Sequence, residues 1–245
     1  MLTSREVTIR YKQSVMGFFW ALLMPTMVVL GGLMVRAAFS RIAGAPLETE
    51  AIAAMVLKAS PWAFFVSGVR LATNSLTSNS NLVTRARCPR IVFPISAMLS
   101  ALFDFGVALI PIVVALAIIG VPLSTHALWS LPLLLILVLM VGGLGVLLAT
   151  ANLFYRDVKY LVEVFLMFAI FFTPVLYEAE MLGPWKTWAL LNPVAPVLEG
   201  LFASVVRAQA PDLGWTLYSL CSSLLLATVA AFVFRAAEPS FADNI

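Results

Sequence analysis

Few residues of this chain carry groups that could do chemistry, and those few are scattered. Asp104 lies within a long apolar run, Glu163 near the end of another, and Lys58 within a third. Ionisable groups at such positions relay protons or ions, or hold helices together. His126 is the only histidine and stands alone in a short loop, so it founds no catalytic cluster of His, Asp and Glu. Cys88 sits in a basic loop and Cys221 in an apolar run, with no CxxC pair, so neither a disulfide nor a metal site is expected. Gly142, Gly143 and Gly145 are not followed by Lys-Ser or Lys-Thr, so they are no phosphate loop; with Ala149 they offer close helix packing instead. The cations gather at three polar joints: Arg5, Arg10 and Lys12; Arg70 with Arg85, Arg87 and Arg90; and Arg156 with Lys159. Their chemistry is attraction to an anionic surface or to a partner.

The elements that position these groups are membrane helices. The 245 residues are 62% hydrophobic and only 11% charged, whereas a soluble domain carries about 25% charged residues. The net charge of +3 reads as retention of basic loops in the cytoplasm. It does not read as nucleic-acid binding, because the basic residues flank apolar runs and form no patch with interleaved aromatics. The expected fold is an all-α integral membrane protein with six spans, at 16–35, 51–71, 95–121, 128–151, 160–177 and 213–234, in one permease domain covering 1–245. The first apolar run is too long for a signal peptide and is expected to remain.

Residues 1–15 form an amphipathic interfacial helix: Thr3-Ser4-Arg5-Glu6 fits a capping box, and Val7, Tyr11 and Val15 share a face. Lys58 is expected to snorkel from near the outer surface. The stretch from Asn74 to Arg90 is the longest polar one and reads as a cytosolic loop or as a lever between two spans. Asp104 costs about 2.5–3.5 kcal/mol on insertion while each large apolar neighbour returns about 0.3–0.6, so its span still inserts and Asp104 faces protein or water. Residues 178–207 are broken by Gly183-Pro184, Asn192-Pro193 and Pro196 and hold no piece long enough to span. They are expected to form a re-entrant helical pair entering from the outer face, because irregular backbone at membrane depth must be shielded by protein or line water. Such a region reads as a gate with Trp185, Trp188 and Asn192 near the exit, or as a surface aromatic belt. Six spans and the placement of basic residues put both termini in the cytosol.

Several motifs occur in an order that resembles the permeases of type 2 ABC exporters of bacterial surface polysaccharides, the Wzm/TagG-like family. They are Arg5-Glu6, Arg10-Tyr11-Lys12-Gln13-Ser14 with Gly17 and Trp20, Pro61-Trp62-Ala63-Phe64-Phe65, Asn81-Leu82-Val83, Pro89-Arg90 with Pro94, and Leu102-Phe103-Asp104-Phe105. Asn152-Leu153-Phe154-Tyr155-Arg156-Asp157-Val158 is the most specific, followed by Thr173-Pro174 with Tyr177, Asn192-Pro193, and Glu238 with Phe241-Ala242-Asp243. Lys58 departs from the family pattern, as does Phe202, where many relatives carry Arg.

The resemblance implies a subunit that exports a glycan on a polyprenyl diphosphate or other lipid across the bacterial inner membrane, as O-antigen, capsule or teichoic acid. It implies a homodimer of this chain with two separate ATP-binding subunits. ATP and Mg are used by those subunits; this chain binds no cofactor or metal, has no Walker A lysine and is not itself an enzyme. Arg85, Arg87, Arg90, Arg156 and Asp157 become candidates for partner coupling. Arg5, Arg10 and Lys12 become candidates for the lipid head group or interface, and Trp20, Trp62, Phe64, Phe65 and Tyr177 for the lining of a sugar channel. The alternative is a secondary transporter driven by an ion gradient. It calls for paired ionisable groups at mid-membrane and an inverted repeat; Asp104 and Glu163 are the only candidates for the pair, and no repeat is evident.

Overall fold

A computed structural model describes residue 23 and residues 26–34, 37–38, 48–80, 89–122 and 124–243. The interfacial helix at 1–15 and much of the span expected at 16–35 lie outside these residues. Within the described residues the chain is helical, with no strand. Four helices are long and apolar enough to cross a membrane: Thr49–Ser78, Val92–Ile119, Thr125–Phe154 and Leu213–Phe241.

Helix α1 (Thr49–Ser78) is the axis of the bundle. Its apolar stretch is 78% buried, against 17% for α2 (Val92–Ile119). Small side chains on α1, among them Ala51, Ala53, Ala54, Ala59 and Ala72, let neighbours close in on several sides. Helix α2 runs back beside α1 and ends at Gly120, whose φ of +88° suits a residue without Cβ. There the amides of Gly120 and Val121 bond to the carbonyls of Ala117 and Leu116, which closes the helix.

A short 3-10 turn (Thr125–Trp129) leads into α3 (Ser130–Phe154). The glycines of α3 and α1 set the spacing. A Cβ on Gly145 would lie 2.6 Å from Cβ of Ala72, and one on Gly68 would lie 2.6 Å from Cγ1 of Val141. On its other side, a Cβ on Gly143 would meet the backbone of Ala227 at 2.9 Å. Helix α3 thus stands between α1 and α7 (Leu213–Ala237), touching both nearly backbone to backbone.

The stretch expected as the fifth span is different. Helix α4 covers only Val158–Ala169, 12 residues, about 18 Å at 1.5 Å per residue, short of a hydrocarbon core of about 30 Å. The reason lies in Pro174. It offers no amide and disfavours helix at Thr173, so the chain tightens into i→i−3 bonds at Phe171 and Phe172 and then turns. The Thr173 hydroxyl donates to the Ala169 carbonyl at 2.8 Å. A 3-10 turn (Ala179–Trp185), α5 (Lys186–Leu190) and α6 (Val194–Val205) follow, and α6 packs against α1, α3 and α7. The chain ends in α7 and a 3-10 turn (Glu238–Asp243).

Candidate functional site

Polar groups collect at two opposite ends of the bundle. At one, the basic end, the start of α2, the joint between α3 and α4, and the end of α7 meet. Arg90 Nη1 donates to the Glu238 carbonyl at 2.6 Å, and its guanidinium lies over the Phe241 ring. Phe241 is fully buried and makes edge contacts with Phe154 and Phe234. Arg90 therefore ties the loop before α2 to the chain's end. Arg85 and Arg87 lie outside the described residues, as do Arg5, Arg10, Lys12 and Trp20.

Asn152 is the hub of this end. Buried at 1% exposure, it donates to the Thr73 carbonyl at 3.1 Å and to the Thr77 hydroxyl at 3.3 Å. Its Oδ1 accepts from the Lys159 amide at 3.1 Å. One carboxamide thus joins α1, α3 and α4, and a buried amide with its groups paired fixes a single arrangement. Beside it opens a cavity of 560 Å³, lined by Asn74, Thr77 and Ser78 from α1 and by Arg156 and Lys159 from the joint. Arg156 and Asp157 are exposed.

The opposite, aromatic end carries the broken region. Trp185 and Trp188 are both 68% exposed. The carbonyls freed by the Asn192-Pro193 break are met by α7: Tyr218 donates to Leu191 at 2.7 Å and Ser219 to Pro193 at 2.8 Å. Asn192 donates to the Thr173 hydroxyl at 2.8 Å and accepts from the Val194 amide at 3.2 Å. At this break the freed backbone groups are therefore met by side chains of α7 and by Asn192 itself.

Lys58 does not snorkel. It is fully buried and forms an ion pair with Glu199 of α6 at 2.7 Å. The same carboxylate oxygen accepts from the Ala179 amide at 3.0 Å, and Lys58 reaches the Tyr177 carbonyl at 3.4 Å. Turning inward gives the ammonium a counter-charge that the apolar surface of α1 does not offer. Lys58 also lies over the Phe202 ring at 4.9 Å, so the two departures from the family pattern touch. Arg207 lies over Phe202 too, at 4.6 Å, and binds Glu50, Glu178 and Glu180. Its hydrogen bond holds the Glu180 carboxyl below the usual range. Burial alone would lower Arg207, but its bonds to Glu50 and Glu180 raise it instead.

This two-layer charge network was not anticipated from the sequence. Glu178, Glu180 and Glu199 recur on one broken segment facing Lys58 and Arg207, but nothing in their spacing names the partners.

The aromatics expected in a channel divide. Trp62, Phe64 and Phe65 are buried at 2–5% exposure; Trp62 stacks on Phe65, and Phe64 packs on Phe105 of α2. Within this chain they form core rather than an open lining. Tyr177 is half-buried, its hydroxyl donating to the Phe171 carbonyl at 3.0 Å. Asp104 is half-buried on α2 and Glu163 is exposed on α4.

A family model described as ABC-2 type transporter matches residues 1–206. Two proteins of Klebsiella pneumoniae named O-antigen export system permease protein RfbA are similar. One is 28% identical over 203 residues, 81% of this chain and 76% of the relative; the other is 28% identical over 204 residues, with the same coverage. A Myxococcus xanthus protein of the same name is 26% identical over 253 aligned positions, 100% of this chain and 94% of its own length.

Proposed function

Because the chain belongs to the ABC-2 type transporter family, a family of multi-pass membrane permeases, we propose that it moves a lipid-linked polysaccharide of O-antigen type across the bacterial inner membrane. The observation that carries this reading is the run of relatives named as O-antigen export permeases, aligned over 81–100% of the chain. The working unit is a homodimer joined to two ATP-binding subunits that use ATP and Mg. The basic end is cytosolic by the positive-inside rule, with both termini there, and the aromatic end faces outward. Six spans are completed by residues 16–35 and by α4 with the turns that follow it.

In this scheme the glycan passes between two copies, and the exposed apolar face of α4, with Leu161, Phe165 and Phe168, continued by Phe172 in the turn after it, is where copies or lipid meet. The outer gate is the broken region with Trp185, Trp188 and Asn192, held against α1 by Lys58 and Glu199. Tyr177, at the edge of that region, lines the path. The pull of ATP hydrolysis arrives at the basic end through Arg85, Arg87, Arg90 and the exposed Arg156–Asp157 pair. Asn152 passes it on, because it links that joint to α1. Arg5, Arg10 and Lys12 rest on lipid head groups.

Coupling is tested by reversing charge on the loop. Arg85→Glu with Arg87→Glu is expected to weaken co-purification of the ATP-binding subunit, or to leave ATP hydrolysis running without export, while membrane insertion is unchanged. Undiminished export from the double variant returns the loop to an ordinary basic connection.

A further inference from the structure

We infer that the aromatic end is a clasp in two layers: Arg207 holds and releases a flap formed by residues 180–190, while Lys58 and Glu199 stay closed beneath it. Arg207 stands two residues past the end of α6 and gives each guanidinium nitrogen to a different carboxylate. Nε donates to Glu50 in the first turn of α1, Nη1 to Glu180 at 2.9 Å and Nη2 to Glu178 at 3.1 Å. One planar fork thus ties the end of α6 both to α1 and to the start of the flap, a geometry that the point charge of an ammonium matches less well.

The two layers differ in their access to water. Arg207 is 26% exposed, with Glu50 at 45% and Glu180 at 55%, whereas Lys58 is 0% and Glu199 18% exposed. Exposed ion pairs are weak and screened by salt, and buried ones are screened much less. The outer layer is therefore the one that opens. Lys186, 4.0 Å from Glu180, lies on the flap itself and does not tie it to α1.

Three further features mark the parting line. A cavity of 140 Å³, room for several waters, is lined by Glu180 and Arg207 of the outer layer and by Glu199 and Phe202 of the inner one. The flap's apolar seal is small: among the described residues it is Ala179, Leu190 and Ala195 with Trp215 against them, a cluster apart from the main core. Segments with few buried apolar contacts open most readily. Ala208, next to Arg207, has a φ of +53°, a conformation that a side chain disfavours and that persists only where its surroundings hold it. The flap is also fixed at both ends, by the Ala179 amide on Glu199 at 3.0 Å and by the Tyr218 hydroxyl on the Leu191 carbonyl at 2.7 Å. It swings between those two points. That the opening lets a glycan out rests on the exporter reading; that Arg207 releases the flap does not.

The test uses the full chain in phosphatidylcholine nanodiscs, without ATP, glycan or an ATP-binding subunit, with Cys88→Ser and Cys221→Ser as background. Ala195→Cys reports from under the flap and Ala59→Cys from beside Lys58; both positions are 0% exposed. The rate of reaction with N-ethylmaleimide, an uncharged reagent, is followed. Arg207→Gln is expected to speed labelling at Ala195→Cys about tenfold, as the loss of three exposed ion pairs implies, and to leave Ala59→Cys unchanged. Arg207→Lys should fall between Arg207→Gln and wild type. In a second arm Arg207 is kept and KCl is raised from about 0.01 M to about 1 M, which cuts the screening length from about 30 Å to about 3 Å. Labelling at Ala195→Cys should again rise and Ala59→Cys stay slow.

Selective acceleration at Ala195→Cys supports the clasp. Unchanged labelling there in a normally eluting Arg207→Gln protein overturns it, and so does equal acceleration at both cysteines, since the layers would then open as one. Where Arg207→Gln does not elute as wild type does, the salt arm decides by the same two criteria. None of these readings depends on export, so the clasp can fail while the exporter reading stands.

Discussion

Lys58→Met is expected to destabilise the detergent-solubilised protein by up to about 3 kcal/mol, the low end for a broken buried pair, because it strands a half-buried carboxylate. Glu199 is 18% exposed and among the described residues would keep only the Ala179 amide as a donor. The loss should concentrate where the pair acts, in the contact between α1 and the broken region at the aromatic end. Removing both charges, as Lys58→Met with Glu199→Met, is expected to recover most of the stability, since an apolar pair of similar volume can replace a buried ion pair at little cost. Thermal unfolding of the two variants decides it. A single variant as stable as wild type would mean that Lys58 is already neutral or solvated. A double variant as damaged as the single would mean that packing on Phe202, at 4.9 Å from Lys58, matters more than charge.

Gly143→Val is expected to separate α3 from α7. A Cβ there meets the Ala227 nitrogen at 2.9 Å and its Cα at 3.0 Å, both backbone. Backbone cannot step aside as a side chain can, and overpacking of this kind costs about 1–3 kcal/mol. The neighbouring Gly142 is the control. A Cβ on it meets only the Met98 sulfur at 3.2 Å, and Met adapts readily, so Gly142→Ala should lower the unfolding temperature little. Equal effects at the two positions would deny that the α3–α7 approach is set by Gly143.

These two sites mark how far the sequence could be read. The glycines were legible as packing surfaces because small residues at close spacing in an apolar run have few other uses. Hydropathy and length likewise marked out the stretches that form α1, α2, α3 and α7. Residues 178–207 were legible as non-spanning from their prolines and glycine, and the hydroxyls of Tyr218 and Ser219 show how the freed carbonyls are met.

The expected fifth span was harder to read. Its composition is apolar enough to cross, and only the local effect of Pro174 stops the helix at Ala169. Lys58 was misjudged because snorkelling and burial differ by the presence of a counter-charge, and Glu199 lies 141 residues away. The aromatic motif around Trp62 suits a lining because sugars stack on such rings. The same rings also fill cores, and which occurs depends on the helix face that α2 covers.

The central claim, that the chain is the membrane half of an ATP-driven exporter, is tested most directly by reconstitution. The chain is placed in proteoliposomes with and without its cognate ATP-binding subunit, and transfer of a labelled lipid-linked glycan to the far leaflet is followed. Transfer that requires ATP, Mg and that subunit, and that ignores imposed proton or sodium gradients, is the predicted result. Transfer driven by an ion gradient through the chain alone would contradict it.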